Sequence, residues 1–226
     1  MQQLSPDLWI VRKEFRLPAL GNIGGCATII RLKPDELVII NPVRFSDEDV
    51  IAIKALGQVK FVIAPNPLHH LFLLRTQKLF AGSKIAGPRE VEYRNEDVDF
   101  DIVLNENALS TWEPILSVLP VKAKPPLYQE LLFFHHPSRA LIMTDLVFNI
   151  QRVDNWLNAL ALKLYGAYRQ LTTTRLSRIA FKHESLRKTM QQVHSLQPEI
   201  LVVAHGDPVL ENANERLKDS FQAWLK

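Results

Sequence analysis

Three apolar stretches of this chain run into side chains that can ligate a metal. Phe61-Val62-Ile63-Ala64 leads to His69 and His70, Leu141-Ile142-Met143-Thr144 leads directly to Asp145, and Leu201-Val202-Val203-Ala204 leads to His205. Short apolar runs bounded by turn residues read as buried strands. In an α/β sheet the carboxyl ends of such strands open on one crevice, so residues far apart in sequence meet there. Imidazole and carboxylate together form the ligand set of zinc, manganese or iron. The pattern therefore predicts one shared site holding at most one divalent ion.

The composition removes several alternatives. At 226 residues, with 47% hydrophobic and 23% charged side chains, the chain is expected to bury a full core as a single domain over 1–226. No apolar run approaches the roughly 18 to 20 residues of a membrane helix. Met1-Gln2-Gln3-Leu4-Ser5-Pro6 lacks the basic start and apolar centre of a secretion signal, which predicts a cytoplasmic protein. The single Cys26 excludes an internal disulfide framework and a multi-cysteine zinc site, and its setting in Gly25-Cys26-Ala27-Thr28-Ile29-Ile30 predicts a buried strand residue. The chain has no Gly-x-Gly-x-x-Gly, Walker loop or Gly-x-Ser-x-Gly elbow, which argues against nucleotide cofactors and serine hydrolysis.

Periodicity divides the chain into two similar halves. Residues 8–15, 26–32 and 37–40 are rich in β-branched and aromatic side chains, with a turn at Lys33-Pro34-Asp35, and predict an antiparallel meander. Ser46 followed by Asp47, Glu48 and Asp49 predicts a helix start, and Gly57 its stop. A strand over 60–64, a helix over 70–80 and a turn at Gly82 complete the first half. The acidic stretch 90–107 reads as a loop with short strands. Residues 130–135 and 140–143 read as a hairpin around His136-Pro137-Ser138. Two helices follow, the second carrying Leu176, Ile179, Leu186, Met190 and Val193 on its apolar stripe; then come a strand over 200–204 and a helix over 212–224. Strands and helices alternating in both halves predict an α/β (α+β) four-layer αββα sandwich.

Basic residues concentrate between Gln151 and His194, where Arg152, Lys163, Arg169, Arg175, Arg178, Lys182, Arg187 and Lys188 face only Asp154 and Glu184. Solvated helix faces account for such a pattern, and an anionic small-molecule substrate is the functional expectation. Without interleaved aromatics or a binding motif, nucleic acid is not expected as a partner. His135 and His136 sit where a strand meets its turn and predict one packed and one solvated ring. His183 reads as a core or boundary residue, and His194 as a helix-end residue.

With these residues in view, the chain resembles the metallo-β-lactamase superfamily. The family carries a Thr-His-x-His-x-Asp-His loop, a Gly-His-Thr-Pro-Gly-Ser stretch, a strand ending in Gly-Asp and a last strand ending in His-Gly. Residues 61–70, 121–129, Thr144-Asp145-Leu146-Val147-Phe148 and His205-Gly206-Asp207-Pro208 take those places in order, and Asn41-Pro42 stands where relatives commonly carry Asp-Thr-Gly. More narrowly, the run 133–149 looks like a divergent family within the superfamily, one with incomplete metal motifs. Laid without gaps, the first two histidines of the family loop fall on Pro65 and Pro67, its Asp on His69 and its last His on His70, while the second motif's His falls near Lys124. The resemblance thus implies a lost first metal position and a mononuclear second one built from His69, His70, Asp145 and His205.

Several readings stay open on the sequence. In one, His70, Asp145 and His205, with His69 assisting, hold an ion that drives hydrolysis of an ester, thioester or phosphoester, with Asp145 orienting the ion. In another, the fold survives as a binding or structural module without metal. In a third, Lys122 and Lys124 at the same strand ends receive a phosphate or carboxylate, Lys124 acting as a point charge. The segment 90–112 and the helices after Asp145 would shape the substrate pocket.

Overall fold

Alternation along the strands decides which layer each side chain joins. In β5 (Gly25–Lys33) Ile29 faces outward and Ile30 inward, and in β6 (Glu36–Ile40) Ile39 and Ile40 divide in the same way. This is the period of two expected of a sheet covered on both faces. The computed structural model describes residues 1–92, 98–105, 108–125 and 128–222.

The first sheet contains β1 (Gln2–Ser5), β2 (Leu8–Lys13), β5, β6, β7 (Gln58–Ile63), β8 (Lys84–Gly87) and β9 (Ile102–Val103), in the order β1-β2-β5-β6-β7-β8-β9. It is antiparallel as far as β6 and parallel from β6 to β9. A small ribbon of β3 (Arg16–Leu17) and β4 (Gly21–Asn22) stands apart from it. The second sheet orders β10 (Leu116–Lys122), β11 (Gln129–His135), β12 (Ala140–Met143) and β13 (Ile200–Val203), with only the β12–β13 pair parallel. The two sheets enclose an apolar layer in which Ile10, Ile30, Val38 and Ile63 meet Val118, Leu131, Phe133 and Ile142.

Helices cover both outer faces. α1 (Asp47–Leu56) and α2 (Leu73–Leu79) pack Ile53 and Leu73 on the first sheet. Beyond the second sheet, α3 (Trp156–Tyr165) and α4 (Arg175–Ala180) precede α5 (His183–Leu196) and α6 (Ala213–Gln222), and these last two bury Leu186, Met190, Val193, Leu217 and Phe221. The architecture is the expected αββα sandwich. Ser46 caps α1 in a reciprocal box: its hydroxyl accepts from the Asp49 amide at 3.3 Å, and the Asp49 carboxylate accepts from the Ser46 amide at 2.9 Å. No helix among the described residues is long and apolar enough to cross a membrane.

Several elements differ from the sequence reading. The second of the two helices expected after the hairpin is itself two, α4 and α5, because the chain straightens at Phe181: Lys182 N donates to Lys122 O at 2.9 Å, and Phe181 forms a β-bridge with Ala123 and fills the core. That break leaves Leu176 and Ile179 on the exposed side of α4 rather than on the stripe with Leu186. His183 is exposed at the start of α5, not a core residue. Lys84–Gly87 is a strand that its short, punctuated sequence concealed, and α2 starts at Leu73 because residues 66–72 form turns. Residues 223 and 224 of the expected last helix, 93–97 and 106–107 of the 90–107 loop, and 126–127 of the 121–129 stretch lie outside the described residues.

His135 is packed and His136 exposed, as their position at the turn suggests. Burial pushes the His135 imidazole down to about 4, and its Nε2 has no hydrogen-bond partner while Nδ1 meets the Ser138 hydroxyl at 2.6 Å. A histidine that titrates near 6.5 when unfolded then binds its proton first in the unfolded chain. Its contribution to stability is complete above about pH 6.5 and is lost as pH falls toward 4. In urea unfolding, the midpoint of the parent should therefore drop between these pH values relative to that of His135→Gln. Parallel curves would remove His135 from the acid response.

Candidate metal centre

The parallel crossovers bring the carboxyl ends of β6, β7, β12 and β13 to one edge of the sandwich. At that edge His69, Asp145 and His205 converge, with one ligand atom from each within 4.8 Å of the others. His69 Nε2 lies 3.2 Å from Asp145 Oδ2, and His205 Nε2 lies 3.7 Å from Asp145 Oδ1. Ligands of a tetrahedral ion bound at about 2.0 to 2.2 Å stand about 3.4 Å apart. The spacing therefore fits one ion.

The partners of the outer ring nitrogens decide what the inner ones present. Asn41 donates through Nδ2 to the Cys26 carbonyl at 2.8 Å, which turns its Oδ1 toward His69 Nδ1 at 2.7 Å. His205 Nδ1 meets the Gly24 carbonyl at 2.8 Å. Both acceptors require Nδ1 to carry the proton, so in each neutral imidazole the lone pair is on Nε2, facing Asp145. Asn41 holds a left-handed backbone with φ 55°, a conformation that asparagine tolerates better than most residues. Asn66, fully buried between Pro65 and Pro67, donates to Thr144 Oγ1 and to Asp145 Oδ2, both at 2.9 Å. Its own Oδ1 accepts from the Leu68 amide at 2.7 Å, which fixes the turn that delivers His69.

Glu130 lies beneath the site, fully buried, and accepts from the amides of Thr144 and Asp145 at 2.6 and 3.0 Å. Burial, reinforced by the Asp145 charge, pushes its carboxyl up to about 8. Burial also pushes Asp145 upward, but the charge of His69 and the bonds from His205 and His69 outweigh it and hold the carboxyl well below the usual carboxylate range. For His69, burial works downward and the Asp145 carboxylate more than offsets it, so the imidazole rises above its ordinary value.

The structure brings together His69, Asp145 and His205 and leaves two expected site residues outside the cluster. His70 turns its Nδ1 to the Pro67 carbonyl at 2.8 Å, within its own loop. Lys124 is exposed, its backbone amide bound to the Ala180 carbonyl at 2.7 Å, so the anion clamp gains no support from burial beside His70 and Asp145. Asn66 and Glu130 were not anticipated. The only sequence signals for them are an amide between two prolines and a lone carboxylate opening the apolar run Leu131-Leu132-Phe133-Phe134.

A cavity of about 300 Å³ opens over the three ligands. Phe15, Ile23 and Phe148 form its inner wall, Leu17 and Leu20 come from the β3–β4 ribbon, and Leu68, Leu71 and Phe72 from the loop that carries His69.

This sandwich, with its site at the strand ends, is the metallo-β-lactamase fold. The structure is similar to that of the DIM-1 metallo-β-lactamase at a TM-score of 0.66 and 11% identity, covering 98% of this chain and 95% of that one. It is likewise similar to a metallo-β-lactamase from Hirschia baltica (TM-score 0.63, 13% identity, 96% and 94% covered). A third similar structure is the mono-zinc form of the metallo-β-lactamase FIM-1 from Pseudomonas aeruginosa (TM-score 0.61, 11% identity, 100% and 96% covered). No family model and no curated protein matches the sequence.

Proposed function

We propose that this protein is a mononuclear metal-dependent hydrolase of a small ester, thioester or phosphoester, with His69, Asp145 and His205 as the ligands. The observation that carries this reading is the fixed orientation of both imidazoles: acceptors at Nδ1 leave Nε2 to the ion. A divalent cation, with zinc the first candidate beside manganese and iron, supplies Lewis acidity and lowers the pKa of water held against it. Asp145 contributes the negative charge of the ligand set and is oriented by Asn66 and by the Glu130 contacts to its backbone. The apolar wall excludes bulk water around the reacting bond. An anionic substrate, expected from the basic stretch, finds no Lys or Arg among the described residues of the wall.

The test is hydrolysis of 4-nitrophenyl esters, acyl thioesters and bis(4-nitrophenyl) phosphate by protein loaded with each metal in turn. At least one substrate should turn over, and Asp145→Ala should lower kcat/KM at least about 100-fold. A second reading, a binding module without metal, has its own observation: a doubly protonated His69 donates through Nε2 to Asp145 over 3.2 Å, a pairing that satisfies both groups with no ion. Absence of turnover with every metal, together with no metal retained on dialysis, would select that reading.

A further inference from the structure

We infer that the cavity over the metal centre takes an uncharged molecule bearing a short apolar acyl or aryl group. This deepens the hydrolase reading and rests on it for the position of the polar bond, which lies at the closed end beside Asp145.

Among the described residues the wall contains no Lys or Arg; its only basic groups are the imidazoles of His69 and His205, both turned to Asp145. Arg152, Lys163, Arg169, Arg175 and Lys182 are all exposed, and none of them reaches the cavity. Among the described residues the lining's only carboxylate is Asp145, and it is engaged by His69, His205 and Asn66. An anionic substrate group would thus be buried against apolar surface with no counter-charge besides the metal centre itself, and burial of an unpaired charge is strongly unfavourable. A neighbouring polar cleft does hold Arg12, Lys13 and Arg152, but Arg12 is paired with Asp207, and Lys13 with Asp49 at 2.5 Å.

The rim of the cavity supports the same conclusion. Leu17, Leu68 and Leu71 line the cavity yet are 36%, 45% and 65% exposed. Large apolar side chains held in water at a concave mouth are suited to covering an apolar ligand. A volume near 300 Å³ corresponds to about ten water-sized groups, which suits a short chain or a single ring and is too small for a peptide helix. The loop that presents His69 also presents Leu68 and Leu71, so one segment supplies both a proposed ligand and part of the apolar rim.

The experiment uses the uncharged single-ring fluorophore 4-(dimethylamino)benzonitrile on the full chain stripped of metal, with octanamide, octanoate and octyl phosphate as competitors of matched length. Saturable binding at one site is expected, with octanamide displacing the probe at a concentration at least tenfold lower than either anion. A Leu68→Asp/Leu71→Asp variant should bind the probe at least tenfold more weakly, whereas Ile51→Asp, on exposed α1, should match the parent. Because both leucines are solvent-exposed, the double variant is expected to fold, and its circular dichroism checks this. No saturable binding, displacement by an anion at equal or lower concentration, or an unaffected folded double variant would each overturn the inference. Failure of the hydrolase reading shows separately, as absence of retained metal and of turnover, in measurements that do not involve the probe.

Discussion

His69→Ala should abolish retention of metal, while the neighbouring His70→Ala should leave about one equivalent bound. Mass-spectrometric metal analysis on protein purified without chelators, then dialysed, reads both. The two side chains differ only in where the turn sends them. His69 Nε2 faces Asp145 at 3.2 Å, with Nδ1 held by Asn41, whereas His70 directs Nδ1 back to Pro67 within its loop. Loss of one of three protein ligands leaves a site with two, which lowers affinity by well over the 10 to 100-fold typical of losing an outer-shell partner. His205→Ala and Asp145→Ala should behave like His69→Ala. If His70→Ala loses the metal and His69→Ala keeps it, the ligand set proposed here is wrong and the loop register must be exchanged.

That pair of histidines marks where sequence reasoning stops. Most of the longer strands and their ligand-bearing ends were legible because burial on both faces leaves apolar runs, such as Leu37-Val38-Ile39-Ile40 and Leu201-Val202-Val203, that end abruptly at polar residues. The choice between His69 and His70 was not legible, since it depends on a turn set by Asn66 Oδ1 and the Leu68 amide. Glu130 escaped notice for a related reason. Its function is to accept two amides from a strand end that is distant in sequence, and no spacing rule encodes such a pairing. The basic residues stand largely on solvated faces, as their composition suggests: Arg152, Lys163, Arg169, Arg175, Lys182, Arg187 and Lys188 are exposed.

The pocket follows from features equally hidden in the sequence. Ile23, Phe148, Ile150, Leu162 and Ala167 form a small cluster of their own, apart from the three large cores, with Phe15 and Leu20 packed against it. This cluster joins the β3–β4 ribbon to the segment after Asp145. Asp154 strengthens the junction by accepting from Arg16 at 2.5 Å and from the Asn22 amide at 3.0 Å. A two-strand ribbon has little stability of its own. Its position over His69, Asp145 and His205 therefore depends on this satellite core rather than on the sheets.

Gly206→Ala should be the most damaging single-methyl change near the site. Gly206 follows the proposed ligand His205 with φ +101°, and a Cβ there would lie 2.0 Å from the Asn149 carbonyl oxygen and 2.2 Å from its carbon. Neither atom can give way, because Asn149 donates to the His205 carbonyl at 3.0 Å and accepts from the Asp207 amide at 2.9 Å, which ties the two strand ends together. The methyl must force apart the segments that carry Asp145 and His205. Gly82→Ala is the control: its φ is +86° but a Cβ there meets nothing within 4 Å. The control should cost only the left-handed backbone penalty, about 1 to 2 kcal/mol. Gly206→Ala adds a backbone clash and should exceed about 4 kcal/mol, the range reserved for severe packing or strain defects. Urea unfolding followed by circular dichroism compares the two directly, and any folded Gly206→Ala protein should also lose its metal. Equal destabilisation by the two substitutions would mean that the strand ends separate freely, and the rigid edge on which the three ligands converge would then have to be abandoned.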